Sequence, residues 1–147
     1  SILLRGFQIL NVPVQATEQY KKGLGETLQE VSSLVDSWRP VEKTAFSCCD
    51  EPGYAAMLAQ SGRSQVIICG IETHVCVLQT CLDMLQTGYQ PVVVTDAVSS
   101  RNLTDKEVAL ERMRQEGTIL TTVESILFEL ARISGTEEFK AISRLVK

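Results

Sequence analysis

One cysteine of this chain stands where a thiol can become a nucleophile. The run Gly70–Cys76, with the sequence GIETHVC, follows an apolar stretch and leads directly into a helical pattern. A thiolate in the first turn of a helix is stabilised by the helix N-terminal field and by backbone N–H groups. The same amides could hold the oxyanion that forms when a thiolate attacks a carbonyl carbon. The position of Cys76 therefore indicates nucleophilic catalysis on a carbonyl compound.

The elements that must position this thiol follow from two apolar periodicities. The near-continuous apolar run Gln65–Ile71 predicts a parallel strand covered on both faces. The apolar stripe of residues 74–87 predicts the helix that follows it, ended by Gly88. The same patterns predict further strands at Val12–Thr17, Val41–Ser47, Gln90–Val98 and Thr118–Val123.

Helices are predicted between these strands. Thr104–Glu116 has Thr104 as its cap, Glu107 in the capping-box position and Gly117 at its end. Residues Glu26–Ser37 are interpreted as a helix or an extended loop, and Asp50 as the cap of a helix that opens at Pro52. The other predicted helices lie at Ser1–Arg5, Pro52–Ser61, Glu124–Arg132 and Thr136–Lys147. The apolar positions in 127–130 and 142–146 fit either helix packing or a subunit interface.

Strands that alternate with helices at this spacing predict βαβ units. The fold class expected is therefore α/β, a doubly wound, Rossmann-like, three-layer α/β/α arrangement with a mainly parallel sheet. Ligands bind outside the carboxyl ends of the strands in such sheets. That rule directs attention to the loops that follow the predicted strands, including the one that carries Cys76.

Length and composition favour a single domain over residues 1–147. The net charge of −4 and the scattered basic residues argue against a nucleic-acid partner. No apolar run is long enough to span a bilayer and no signal peptide is recognisable, so no membrane partner and a cytoplasmic location are expected. The five cysteines fit neither a disulfide framework nor paired zinc-site spacing, and all are interpreted as free thiols.

Four segments carry a resemblance to a known family. The run Gly70–Val77 resembles the G-[VI]-x-T-x-x-C-V signature of isochorismatase-like cysteine hydrolases, a group that includes nicotinamidases and N-carbamoylsarcosine amidase. Lys43, which precedes Phe46-Ser47, looks like the lysine of that family. Val94–Arg101 is similar to the family's V-x-D-A-x-x-S strand and loop. The loop at residues 17–20 (TEQY) is similar to that of isochorismatase-domain proteins without an assigned substrate, outside the nicotinamidase branch.

Two features depart from the family pattern. The family's catalytic aspartate lies in a D-x-Q run at the end of its first strand, and both that strand and the aspartate are expected to be absent from this chain. Nicotinamidases carry a D-x-H run and further histidines that bind metal. The corresponding loop here is Glu18-Gln19-Tyr20, and His74 is the chain's one histidine. No metal site and no cofactor are therefore expected.

The resemblance implies hydrolysis of a small amide-type C–N bond through a thioester on Cys76. In that mechanism Lys43 stabilises the thiolate and an aspartate moves the proton. The family pattern further implies a cis peptide bond at Ile71-Glu72 and an oxyanion hole made by the Glu72 and Cys76 amides. Substrate contacts are predicted for five residues on the surrounding loops: Glu18, Tyr20, Phe46, Thr73 and His74. The resemblance also implies a homo-oligomer.

Other interpretations remain open at the level of sequence. Isochorismatase-type hydrolysis of a vinyl ether is one, because in this family it can proceed without the thiol. The other is a catalytically silent domain that serves as a binding or assembly module, motivated by the absent aspartate. The remaining cysteines, Cys48, Cys49, Cys69 and Cys81, are interpreted as structural thiols.

Overall fold

Five strands form two separate parallel sheets in the protein, for which a computed structural model describes all 147 residues. The smaller sheet pairs β1 with β2, and the larger one has the order β3-β4-β5. Every pairing is parallel. The strands are β1 (Thr17–Gln19), β2 (Val41–Lys43), β3 (Gln65–Ile71), β4 (Gln90–Ser99) and β5 (Ile119–Thr121).

The predicted parallel pairing is confirmed, but the strands are divided between two sheets because no ladder joins β1 to β3. The predicted strand at residues 12–17 is also displaced, since the ladder of β1 begins only at Thr17. Pro13 has no N–H to donate to a neighbouring strand. The predicted strand at 41–47 stops at Lys43, because the chain then turns and the carbonyls of Ala45 and Phe46 bond the lysine side chain instead.

Eight α-helices connect and flank the strands. Two of them are single turns, so the predicted helix or extended loop at residues 26–37 contains only four helical residues. The helices are α1 (Ile2–Ile9), α2 (Lys21–Leu24), α3 (Gln29–Ser32), α4 (Pro52–Gln60), α5 (Leu78–Gln86), α6 (Leu103–Gln115), α7 (Val123–Ala131) and α8 (Glu137–Leu145).

Helix ends follow local chemistry, with two corrections to the predicted caps. The cap of α4 is Glu51 rather than Asp50, because the Glu51 carboxylate accepts a hydrogen bond from the Gly53 amide. The cap of α6 is Asn102 rather than Thr104, so this helix begins one residue before the predicted cap. Gly88 has a φ of +86°, a conformation that only glycine adopts without strain, and it ends the α5 segment as predicted.

The helix predicted at residues 74–87 is divided in two. Thr73–Val77 form one turn of π-helix, and α5 continues from Leu78. In the π turn, the Glu72 carbonyl accepts hydrogen bonds from the amides of Val75 and Val77, each at 3.2 Å. Cys76 therefore lies inside a wide turn rather than in the first turn of a regular helix. Such turns occur often at functional sites.

Side chains of β4 alternate between two apolar layers, because successive residues of a strand point to opposite faces. Val92 and Val94 pack with α1, α7 and α8 on one face. Val93 packs with the π turn, α5 and α6 on the other face. A third cluster joins α4 to α5. Helices thus cover both faces of the larger sheet, and the predicted three-layer, doubly wound α/β fold is confirmed.

β3 is an edge strand, with a strand partner only on its β4 side. The expected cover on both faces is confirmed for Ile67 and Ile68, which pack against clusters on opposite faces, but Cys69 and Ile71 are exposed. The two apolar segments 127–130 and 142–146, left open between helix packing and a subunit interface, pack inside the protein at their first residues. Leu127 and Ile142 are both fully buried in the cluster that contains Val92.

No helix of the protein combines the length and the apolar character that crossing a membrane requires.

The packing of α1 on α7 generates a first prediction. A β-carbon added at Gly6 would lie 2.4 Å from Cδ2 of Leu127, a side chain with no room to move because it is fully buried. Gly6→Ala should therefore lower the free energy of unfolding by about 1–3 kcal/mol, in spite of alanine's better helix propensity. Urea unfolding measures this change.

Gly53→Ala is the matched control. Gly53 also lies in a helix, but its added β-carbon would meet Val41 at 3.4 Å, an ordinary contact distance. This variant should be neutral or slightly stabilising. If Gly6→Ala proves as benign as Gly53→Ala, the close packing of α1 against α7 is incorrect.

Candidate active site

The Cys76 side chain lies at the ends of β1 and β2, the two strands of the smaller sheet. Its Sγ lies 3.9 Å from Oε1 of Gln19, the last residue of β1. The same oxygen accepts a hydrogen bond from Nζ of Lys43, the last residue of β2. Gln19 and Lys43 are partners in the parallel register, so their side chains leave the sheet on one face. The structure thus brings the predicted Cys76 and Lys43 together.

Lys43 is a buried cation surrounded by neutral acceptors. Its side chain is only 3% exposed. Besides Gln19 Oε1, its ammonium donates to the carbonyls of Ala45 at 2.9 Å and Phe46 at 2.8 Å. These three bonds use all three of its donors. No carboxylate forms an ion pair with it. A buried positive charge favours an anion nearby, such as a carboxylate or a thiolate.

Gln19 is a site residue that the sequence analysis missed. Its amide is held in one orientation because Nε2 donates to the Thr44 carbonyl at 2.7 Å, which leaves Oε1 to face Lys43 and Cys76. Only part of the signal was present in the sequence. Gln19 ends a strand next to Glu18, and period-two alternation sends adjacent side chains to opposite faces. Only one residue of the pair could face the thiol.

The Glu18 carboxylate is turned into its own loop and is 6% exposed. It accepts a hydrogen bond from the Thr27 amide at 2.9 Å and lies 3.9 Å from Lys21 Nζ. The Thr27 amide, and after it the Lys21 charge, hold the pKa of Glu18 below its usual range although burial opposes this. Glu18 therefore fastens the segment of residues 20–27, while its neighbour Gln19 faces the thiol.

Tyr20 and Phe46, both predicted substrate contacts, are exposed aromatic residues next to this cluster. Their side chains are 51% and 53% exposed. The Tyr20 amide donates to the Lys43 carbonyl at 2.8 Å, and Phe46 supplies one of the Lys43 acceptors. The Tyr20 ring lies directly against Gly23, where a β-carbon would come within 2.2 Å of it. Both rings are thus attached to the residues that hold the lysine.

The segment between β3 and the π turn supplies backbone groups. The Ile71-Glu72 peptide bond is cis, as the family resemblance implies. The Glu72 amide donates to no acceptor of the protein, which is what one arm of an oxyanion hole requires. Thr73 is fully buried and its hydroxyl has no hydrogen-bond partner in the protein.

His74 faces the loop that follows β4. Its Nδ1 lies 3.0 Å from the Ser100 hydroxyl, and its Nε2 lies 3.9 Å from Oδ2 of Asp105. Oε2 of Glu72 is 3.6 Å from Nδ1 and also accepts a hydrogen bond from the Arg101 amide at 3.1 Å. These contacts connect the segment of residues 72–74 to residues 100–105. His74 is therefore a polar residue at the border of the site.

Two other thiols, those of Cys49 and Cys81, are made less reactive by burial. Desolvation raises the pKa of Cys49 to about 11 and that of Cys81 to about 12. Both therefore stay protonated near neutral pH, and a protonated thiol is a poor nucleophile. This agrees with their interpretation as structural thiols. No group of three or more His, Cys, Asp or Glu side chains lies close enough together to hold a metal ion.

The arrangement combines a half-buried thiol, a buried ammonium and an unpaired backbone donor at one edge of the fold. A thiolate there can attack an electron-poor carbon, and the Glu72 amide can stabilise the negative charge that moves to oxygen. The chemistry that fits is nucleophilic substitution at a carbonyl or a similar group.

Comparison with known proteins identifies relatives over the whole chain. The model of the Isochorismatase domain matches residues 1–125. The secreted isochorismatase effector Isc1 of Phytophthora sojae is 46% identical over 95% of this chain and 69% of its own length. Isochorismatase domain-containing protein 2A of Mus musculus is 44% identical over 99% of this chain and 69% of its own.

Solved structures agree with these relatives. A MAR1 ribonuclease from Caenorhabditis elegans has a TM-score of 0.90 and 41% identity, covering 99% of this chain and 74% of its own. YcaC from Pseudomonas aeruginosa, solved with hexane-2,5-diol and covalent acrylamide, has a TM-score of 0.88 and 27% identity, covering 96% of this chain and 72% of its own. YcaC from Escherichia coli, described as an octameric hydrolase of unknown specificity, has a TM-score of 0.84 and 26% identity, covering 90% of this chain and 66% of its own. By family model, relatives and fold together, this chain belongs to the isochorismatase-like hydrolase family.

Proposed function

We propose that the chain is a cysteine-dependent hydrolase that cleaves a small amide-type C–N bond through a thioester on Cys76. The observation that carries this proposal is the link from the buried Lys43 ammonium through Gln19 to the Cys76 sulfur. A positive charge in a poorly solvated place stabilises a thiolate more than a thiol.

The reaction has two steps. In the first, the Cys76 thiolate attacks the amide carbon, a C–S bond forms, and the carbonyl electron pair moves to an oxygen facing the Glu72 amide. The C–N bond then breaks and the amine leaves with a proton. In the second, water attacks the thioester, the C–S bond breaks, and a carboxylic acid and the thiol are released. The family resemblance assigns the proton transfers to an aspartate in a D-x-Q run, which does not occur in residues 1–147.

Exposed groups around the thiol suggest the kind of substrate. Tyr20 and Phe46 offer aromatic surface, and His74 offers a polar edge. Glu18 and Thr73 are almost completely buried, so their contribution to substrate binding would be indirect, through the loops that they hold. A small substrate with an apolar part and a carboxamide end fits these groups. Acrylamide alkylates nucleophiles through its vinyl carbon, so the covalent acrylamide in the YcaC structure from Pseudomonas aeruginosa supports a reactive nucleophile rather than the class of substrate.

RNA cleavage is a second candidate because the Caenorhabditis elegans neighbour is described as a ribonuclease. The charge distribution favours the amide. The net charge is −4, and the cation beside the thiol, Lys43, is buried. RNA-binding surfaces need accessible cations for the phosphates. An RNA-cleavage assay, run beside the amide assay, decides between the two.

Two further properties belong to the proposal. A homo-oligomer is expected, supported by the octameric YcaC from Escherichia coli, and light scattering would measure it. A cytoplasmic location fits five free cysteines, although the Phytophthora sojae relative is named as secreted.

Substitution of the nucleophile gives the direct test. Cys76→Ala should reduce amine release from a panel of small amides by about a thousandfold or more, because no group replaces the sulfur in the covalent step. Cys69→Ala is the matched control, since Cys69 is an exposed thiol of β3 outside the cluster. Circular dichroism should show both variants folded. Amine release that persists in Cys76→Ala contradicts the thioester mechanism.

Thiol labelling supplies a test that needs no substrate. Acrylamide at neutral pH should modify Cys76 well before Cys49 and Cys81, because the raised pKa values of the latter two keep them protonated. Their labelling should rise only as the pH approaches about 11 and about 12, respectively. Peptide mass spectrometry follows each site. Equal labelling of Cys76 and Cys49 at neutral pH would argue against an activated thiol.

A further inference from the structure

The side chain of Glu72 fastens the residue whose amide faces the oxyanion in the proposed reaction. Its Oε2 accepts a hydrogen bond from the Arg101 amide at 3.1 Å. We propose that Glu72 is a positioning residue: its carboxylate, bonded to the loop after β4, keeps its own backbone N–H directed at the carbonyl oxygen of the group that Cys76 attacks. This inference rests on the proposed function, because it concerns how the oxyanion of the same reaction is stabilised.

The ladder between β3 and β4 stops just before Glu72. Its last paired residues are Ile71 and Ser99, at the carboxyl ends of the two strands. Beyond them one chain segment enters the π turn and the other leads to α6, and no backbone hydrogen bond joins the two. The bond from the Arg101 amide to the Glu72 carboxylate therefore continues the connection between the strands where the ladder has ended.

Glu72 is held on two sides, and only its amide is left without a partner. Its carbonyl accepts from the amides of Val75 and Val77, each at 3.2 Å. Its carboxylate accepts from the Arg101 amide and lies 3.5 Å from Nε of the same arginine. The π turn thus fixes the carbonyl side of the residue and the loop fixes its side chain. A donor stabilises an oxyanion well only if its direction is set before the reaction.

A further contact supports the same connection. Nδ1 of His74 lies 3.0 Å from the Ser100 hydroxyl and 3.6 Å from Oε2 of Glu72. The Glu72 carboxylate therefore lies between a residue of the π turn and residues of the loop, and its side chain is only 29% exposed. A hydrogen bond to a carboxylate is stronger than one between neutral groups. Such a bond, partly shielded from water, can restrict the movement of the segment that carries the amide.

Two reactions of the same thiol separate this role from a general effect on Cys76. p-Nitrophenyl acetate acylates a thiolate: the C–S bond forms, the carbonyl electron pair moves to oxygen, and p-nitrophenolate leaves as the C–O bond breaks. Iodoacetamide alkylates a thiolate at a saturated carbon: the C–S bond forms, iodide leaves, and no charge develops on an oxygen. Only the acylation can use the Glu72 amide. The ratio of the two rates therefore reports on that amide, since a change in thiolate population affects both reactions alike.

The test measures both rates in the full chain at neutral pH, with peptide mass spectrometry to isolate Cys76. Glu72→Ala should lower the ratio of acylation to alkylation about tenfold, because complete loss of one oxyanion donor slows acyl transfer by about a hundredfold or more. Glu72→Gln is the matched control: it loses the same charge but keeps an acceptor for the Arg101 amide, so the ratio should stay within about threefold of the natural one.

Glu72→Asp is the complementary variant. It keeps the charge, but its side chain is shorter by one C–C bond, about 1.5 Å, so its carboxylate cannot reach the Arg101 amide without a shift of the backbone. The ratio should fall as it does in Glu72→Ala. The effect of the three variants then follows the reach of the acceptor rather than the charge. Thermal unfolding verifies that each variant is folded at the assay temperature, and the comparison of Glu72→Gln with Glu72→Asp remains decisive if Glu72→Ala unfolds.

Two outcomes would overturn the inference: a ratio that Glu72→Asp and Glu72→Ala leave unchanged, even if both separate rates fall, or a ratio that falls equally in Glu72→Gln. In either case acylation that exceeds the level of Cys76→Ala would preserve the proposed function and remove only the role of the Glu72 side chain. If the natural chain is acylated no faster than Cys76→Ala, the thioester mechanism fails and the inference fails with it.

Discussion

The parallel pairing of β4 on both of its edges is the constraint on which the rest of the structure depends. β4 is the one strand with two neighbours, and its Val92-Val93-Val94 segment sends side chains alternately into the two helical layers. Because this strand is fixed by two ladders and two apolar clusters, the end of β3 beside it is fixed as well. The π turn that carries Cys76 follows that end directly and packs Val77 into one of the same clusters.

A polar link then completes the site across two sheets. β1 and β2 form no ladder with β3, yet their last residues, Gln19 and Lys43, reach Cys76 through side-chain contacts. The loop after β2 is attached to α5, since the Cys48 amide donates to the Thr80 hydroxyl at 2.9 Å. The carboxyl ends of parallel strands thus converge, as in other α/β folds where ligands bind outside those ends.

Electrostatics explains why the link consists of neutral groups around one cation. Burial of an ammonium is costly, and three hydrogen bonds repay part of that cost for Lys43 without removing its charge. The carboxylates nearby are engaged elsewhere: Glu18 with Thr27 and Lys21, and Glu72 with Arg101. The cysteine therefore lies close to a buried positive charge.

The sequence by itself determined the α/β class, the strand at 65–71 and the glycine that follows α5, because each depends on local periodicity or turn chemistry. The expectation that Lys43 and Cys76 share one site came from the family resemblance. Only the tertiary structure decided that the strands form two sheets, that β3 is an edge, and that Gln19 rather than Glu18 faces the thiol. Ladder partners and side-chain direction depend on residues distant in the chain, and Gln19 and Cys76 are 57 positions apart. A pattern read along one segment contains no information about such contacts until the segments are packed together.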